Sequence, residues 1–185
     1  MEMQCNLPSD SILPRFRVVP YQKQYAAQIS LLFHLAVQGI SSRHYSDAQL
    51  KAWSYQPRSS RYWHLRLSRS QTWVVLDFAP IKPLAAPLCC GFINVETHYF
   101  SRGYIDSLYL HPAYQGKGLA LALFATAKKW AKQQGYLELT VDASYLSRPL
   151  FESGGFELCY KSYQPKSGQM LPGFFMRCQL QSASE

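Results

Sequence analysis

The chain has 185 residues, a length that supports one domain with a real core and not two. Hydrophobic residues make up 48% of it, which excludes a disordered tail, and no apolar run reaches the length that spans a bilayer. The formal net charge of +8 comes from dispersed basic residues, with one local excess at Arg58, Arg61, Arg66 and Arg69. With no aromatic stacking motif or zinc spacing beside them, these arginines read as a solvated helix face, and a nucleic-acid partner is not expected. A basic surface does favour a ligand carrying several phosphates.

In chain order, residues 1–15 read as a flexible tail. The opening Met1-Glu2-Met3-Gln4-Cys5-Asn6 has neither the basic start nor the apolar core of a secretory signal. A short strand at Arg17-Val18-Val19 stops at Pro20. Helical spacing of Ala26, Ile29, Leu32, Phe33, Ala36 and Ile40 predicts a helix over 24–40. Ser46 is placed to cap a second helix through Gln49, Leu50 and Trp53, and a basic third helix covers 59–67. Strands follow at 72–76, 88–95 and 104–110, and antiparallel pairing of these neighbours is expected.

A helix after Gly118 buries Leu119, Leu123, Ala127 and Trp130, exposes Lys128, Lys129 and Lys132, and stops at Gly135. The strand Leu137–Asp142 should run parallel to 104–110 through a right-handed crossover. A short helix over 145–153 and strands near 156–160 and 174–180 complete a domain spanning 16–180, with 181–185 as a tail. The fold class is α/β: a mixed, mostly antiparallel sheet with one parallel crossover pair and flanking helices. Cys5, Cys89, Cys90, Cys159 and Cys178 form no Cys-x-x-Cys pair, the pattern of reduced thiols in a cytoplasmic protein. The five histidines lie too far apart for a metal site, so no metal is expected.

The segment Leu110-His111-Pro112-Ala113-Tyr114-Gln115-Gly116-Lys117-Gly118-Leu119-Ala120 carries the most information. It leads from an apolar strand into a helix whose first amides lack internal partners and form a positive end suited to a diphosphate. A P-loop is excluded because His111 holds its first glycine position. A dinucleotide fingerprint lacks its third glycine, Leu121 standing there, and only 65 residues follow the turn. The remaining pattern, Gln/Arg-x-x-Gly-x-Gly/Ala with a preceding proline, is met by Gln115, Gly118, Ala120 and Pro112.

That pattern resembles motif A of the GNAT superfamily of acetyl-CoA-dependent N-acetyltransferases. The order of elements over about residues 16–180 is similar to that fold. Leu150-Phe151-Glu152-Ser153-Gly154-Gly155-Phe156 resembles the family's later Phe/Leu-Tyr-x-x-x-Gly-Phe motif. Arg43-His44-Tyr45-Ser46 with Gln49, Leu50 and Trp53, and Ala143-Ser144 ahead of Arg148-Pro149, resemble a bacterial branch typified by YafP-like acetyltransferases.

The resemblance implies a cytoplasmic acyltransferase that uses acetyl-CoA as cosubstrate and a small-molecule or peptide amine as acceptor. Coenzyme A contacts are then expected from Leu108, Tyr109 and Leu110, from Gln115, Gly116, Lys117, Gly118, Leu119 and Ala120, and from Ser144 and Phe151. Asp106 is the candidate base, with Glu96 in reserve. The alternation expected of a strand puts Asp106, Leu108 and Leu110 on one face and Ile105, Ser107 and Tyr109 on the other. Phe151 replaces a tyrosine that protonates the leaving thiolate, so Tyr145 or Tyr160 is the candidate acid, and a non-catalytic acyl-CoA-binding or sensing module is the alternative. Tyr45 and Trp53 are expected to line the acceptor pocket. The sequence specifies neither the acceptor nor the oligomeric state, and a homodimer stays open.

Overall fold

The computed structural model describes residues 15–41, 43–79, 86–99 and 102–180. Seven strands, β1 (Phe16–Pro20), β2 (Gln71–Asp77), β3 (Leu88–Tyr99), β4 (Arg102–Leu110), β5 (Glu138–Ala143), β6 (Glu157–Lys166) and β7 (Gln169–Gln179), form one sheet in the order β1-β2-β3-β4-β5-β7-β6. All neighbours are antiparallel except β4 and β5. That parallel pair is joined through α4 (Leu119–Gln133), as the crossover rule requires. The other helices are α1 (Ala26–Gln38), α2 (Asp47–Trp53), α3 (Ser60–Leu67) and α5 (Arg148–Ser153).

Alternation along β2 divides the core between the two faces of the sheet. Trp73 and Val75 pack with Leu123, Phe124 and Ala127 of α4. Val74 and Leu76 pack with Ile29 and Leu32 of α1 and Trp63 and Leu67 of α3. Burial of such side chains stabilises by about 1.5–3 kcal/mol each, so both helical layers are held mainly by apolar area. Lys128 departs from the expected exposed face: it is half-buried and its Nζ donates to Gly154 O at 2.9 Å, tying α4 to the end of α5.

Caps fix the helices that reach the site. Ser46 and Gln49 form a reciprocal capping box at α2, and Ser59 accepts from the Tyr62 amide at α3. α2 is anchored on the β6–β7 hairpin: Tyr45 Oη donates to Pro172 O at 3.1 Å, and Gln49 Nε2 to Met170 O at 2.8 Å. That hairpin is longer than the sequence pattern indicates and closes on Ser167-Gly168, both with positive φ (42° and 80°), a two-residue turn that suits the twist of the strands.

Two irregularities in β4 create the site. The ladder pairs Asn94 with Ser107 but Val95 with Ile105, so Asp106 is an extra residue in a β-bulge. The bulge overturns the expected alternation. Ile105, Leu108 and Leu110 all pack on the α4 side and Tyr109 on the α1–α3 side. The second irregularity is the end of the parallel ladder: β4 pairs with β5 from Arg102–Glu138 to Ile105–Val141 and no further. Beyond Ile105, β4 leaves its neighbour and opens a gap.

Candidate active site

The gap forms a cleft of about 320 Å³, lined by Leu108, Tyr109, Leu110, Gln115, Gly116, Ala120, Ser144 and Phe151 together with Leu146, Ser147 and Leu150. His111 N donates to Cys90 O at 2.9 Å. Alternation along an antiparallel ladder then turns the Tyr109 amide toward β3 and leaves the Leu108 and Leu110 amides pointing into the gap. At the far end, Gly118 caps α4 with φ 74° and Gly116 has φ 72°, conformations that suit glycine, and a Cβ built at either would meet nothing within 4 Å. The first bond of α4 runs from Ala122 N to Gly118 O, 3.1 Å. Among the described residues, the amides of residues 116–121 have no protein acceptor. They form a positive, uncovered surface at the helix start.

A buried anchor fixes the approach to this turn. Asp77, its side chain 3% exposed, accepts Arg15 Nε and Nη2 at 2.9 and 2.8 Å and Tyr114 Oη at 3.1 Å. The Arg15 guanidinium bonded to it holds the Asp77 carboxyl down at about 2, against the opposing effect of burial.

The same gap opens on its α1–α3 side into a second cavity of about 170 Å³, which shares Trp53, Asp106, Ser107, Tyr109, Asp142 and Ser144 with the first. Asp106 is half-buried and accepts Arg66 Nη2 on both oxygens at 2.7 Å and Ser107 Oγ at 2.8 Å. Arg66 is therefore turned into the site and does not belong to a purely solvated helix face. Asp142 Oδ2 accepts Tyr104 Oη at 3.0 Å, and burial raises the Tyr104 phenol well above its usual range, the Asp142 charge adding to the effect. Trp53 Nε1 donates to Tyr109 Oη at 3.0 Å, and burial raises that phenol as well. The hydroxyl of Tyr45 is held structurally by Pro172 O and by the Tyr145 amide, leaving its ring as cavity wall.

The result is two joined chambers, one lined by free amides and one by charged side chains. Residues 41–156 match the Acetyltransferase (GNAT) family. The chain belongs to the GNAT family. It is 35% identical over 158 residues to the uncharacterized N-acetyltransferase YafP of Escherichia coli K12, covering 85% of this chain and 91% of that protein. A GCN5-related N-acetyltransferase structure from Rhodopseudomonas palustris superposes with a TM-score of 0.76 at 24% identity, covering 93% of this chain and all of that one. A phosphinothricin acetyltransferase from Sinorhizobium meliloti, solved in complex with acetyl-CoA, gives 0.70 at 18% identity, covering 93% of each chain. A putative acetyltransferase from Salmonella typhimurium, solved with its cofactor acetyl-CoA, gives 0.67 at 19%, covering 93% of this chain and 98% of that one.

Within this GNAT member the expected site residues fall into three groups. Most of the expected coenzyme A set lines the first cleft; Lys117, Gly118 and Leu119 do not. The Leu119 side chain is buried in the core and Lys117 Nζ lies 5.0 Å from the Tyr114 ring, so Leu119 can contribute only through its amide. Tyr45, Trp53 and Asp106 line the second cavity. Tyr145 lines neither: it stacks on His44 (4.7 Å, 4°) and meets Phe174 edge-on. Tyr160 is exposed on β6, stacked on Phe175. Glu96 lies beside Arg66 and His98 in a separate shallow pocket, its carboxyl raised by burial and by the charge of Asp106.

Arg58, Arg66, Tyr104, Asp142 and Lys166 also line the second cavity; the basic excess over residues 58–69 marks the two arginines without their role, and no local pattern announces the other three. Burial pushes the Cys89 thiol up to about 12 and that of Cys90 up to about 11, which suits core packing and not nucleophilic attack. No group of three or more His, Cys, Asp or Glu side chains clusters for a metal, and no helix is long and apolar enough to cross a membrane, both among the described residues.

Proposed function

We propose that this GNAT member moves an acetyl group from acetyl-CoA to a primary amine by direct transfer in a ternary complex. The observation that carries the reading is the β4–β5 gap. It joins the unpaired amides at the start of α4 to a charged cavity, so one ligand can enter from each side. The pyrophosphate of the carrier would lie on the amides of residues 116–121 and its pantetheine arm along Leu108–Leu110, with Ser144 and Phe151 on the opposite wall. The Leu108 and Leu110 amides would then donate to the thioester oxygen as negative charge develops on it.

The amine must arrive deprotonated. With a pKa near 10.4, deprotonation at neutral pH costs roughly 4 kcal/mol, so a proton acceptor at the cavity end is required. Asp106 fills this role through water: its two oxygens already take three donors, leaving little room for direct contact with the amine. The nitrogen lone pair forms the new C–N bond, the C–S bond breaks with its electrons passing to sulfur, and the amine proton leaves toward Asp106. Phe151 donates no proton, and Tyr145 lines neither cavity, which removes the support for it as the acid. A thiol with a pKa of roughly 8.5 is a good leaving group without such help.

Phe151 also supports one rival, a module that binds acyl-CoA without turning it over. Thioester consumption across a broad panel of amines separates the two. Turnover with any amine supports the transferase; tight coenzyme A binding with no turnover for all of them supports the rival.

A further inference from the structure

The cavity beyond the thioester has two chemically different ends. Its inner end, shared with the coenzyme A cleft, presents Asp106 and Asp142. Its outer end continues into a neighbouring cleft through Arg58 and Ser167, and Lys166 lies next to that turn. Arg66 is matched by Asp106 at 2.7 Å. Arg58 and Lys166 are exposed and have no carboxylate within 4.0 Å among the described residues. The chamber therefore holds two unmatched cations on its outer side and carboxylates at the point where a nucleophile has to stand. Aromatic rings of Phe33, Trp53, Tyr62 and Trp63 wall the space between. The Trp63 indole N–H is buried without a partner among the described residues, a donor that complements an acceptor atom and not an ammonium.

We propose that the acceptor is a small amine that also carries an anionic group, a carboxylate or a phosphate, with its nitrogen at the Asp106–Asp142 end and its anion held by Arg58 and Lys166. The proposal rests on the transferase reading above and narrows its substrate class. A polyamine or a neutral alkylamine would leave both cations unmatched and bring a further positive charge to a basic mouth. Charge-assisted hydrogen bonds of this kind are about twice as strong as neutral ones. An anionic amine should therefore be favoured over its neutral counterpart by roughly 10- to 100-fold.

The test pairs each anionic amine with a neutral twin: phenylalanine with phenylalaninamide, glutamate with its diamide, and phosphoethanolamine with ethanolamine. For each, kcat/KM is measured at saturating acetyl-CoA, and binding to the coenzyme A complex by calorimetry. The expected result is a preference of at least about 10-fold for the anionic member of a pair, falling toward parity when Arg58→Ala and Lys166→Ala are combined and returning with Arg58→Lys and Lys166→Arg. The carboxylate and phosphate arms identify the anion.

Equal or inverted preference, or a preference that the double variant leaves intact, would overturn the proposal. Weakened acetyl-CoA affinity in the double variant would also overturn it, by assigning the two cations to the carrier. If no amine is turned over, the transferase reading fails. The calorimetric comparison still decides whether the cavity selects an anionic amine.

Discussion

In the proposed reading, the two ends of the cleft would recognise their ligands with different parts of the chain. The proposed carrier end presents main-chain amides at the start of α4 and on the free edge of β4, all within residues 108–121. At the acceptor end, side chains converge from before α3 (Arg58), from α3 (Arg66), β4 (Asp106), β5 (Asp142) and β6 (Lys166). An amide surface is indifferent to most side-chain changes but intolerant of altered backbone geometry. A side-chain chamber has the opposite sensitivities, so acceptor choice can change while the carrier site stays as it is.

Backbone substitution at the carrier end should have the largest effect. Gly118→Val places a β-branched residue at φ 74°, where glycine alone is comfortable. On the proposed reading two or more amide–phosphate bonds would be disturbed, and acetyl-CoA affinity should fall by at least about 100-fold in calorimetry, each such bond being worth about 1.5–3 kcal/mol. A Kd within two-fold of the parent value would break the assignment of the turn.

Next is chemistry at the junction. Asp106→Asn should lower kcat by about 100-fold while leaving acetyl-CoA affinity within about two-fold, the size of effect expected of a proton acceptor. If Asp142→Asn is the more damaging of the two, the proton acceptor is Asp142 on the other lip of the gap.

A smaller effect is expected at the anchor. Asp77→Ala leaves the Arg15 and Tyr114 donors without their acceptor and should cost about 1–3 kcal/mol of stability, read as a lower denaturant midpoint. The parent protein carries the same sensitivity to acid. The folded-state pKa of Asp77 is depressed to about 2 from an ordinary 3.8, so its contribution is complete above about pH 4 and lost as the pH falls toward 2. In the Asp77→Ala variant that segment of the stability curve should flatten. Smallest of all, Trp53→Phe removes the bond to Tyr109 Oη but keeps most of the wall; KM for the acceptor should rise by roughly 3- to 10-fold with kcat little changed.

The contrast between main-chain and side-chain recognition also explains what could be read from the residues alone. Pro112, Gln115, Gly118 and Ala120 sit in one contiguous segment, and their spacing encodes a backbone shape, so the glycine turn with its uncovered amides was legible. The order of helices and strands followed from periodicity, including the parallel β4–β5 pair. The bulge at Asp106 was not legible, because one extra residue leaves no mark in an alternating pattern. Arg66 was assigned to a solvated face because its partner lies 40 residues away. Tyr145 was a reasonable acid by position in the chain, yet the turn after β5 directs its ring into the stack with His44 and Phe174. Arg58 and Lys166 lie more than a hundred residues apart and line one cavity, where Tyr45 and Gln49 fasten the start of α2 to the β6–β7 hairpin.

Asp77 joins partners from distant parts of the chain: Arg15, 62 residues before it at the outermost strand, and Tyr114, 37 residues after it at the threshold of the carrier turn. Fraying at the sheet's rim is therefore felt at the threshold of the carrier turn. Amide hydrogen exchange around β1 and around residues 112–115 should rise and fall together, and a bound carrier should slow both although it touches only one.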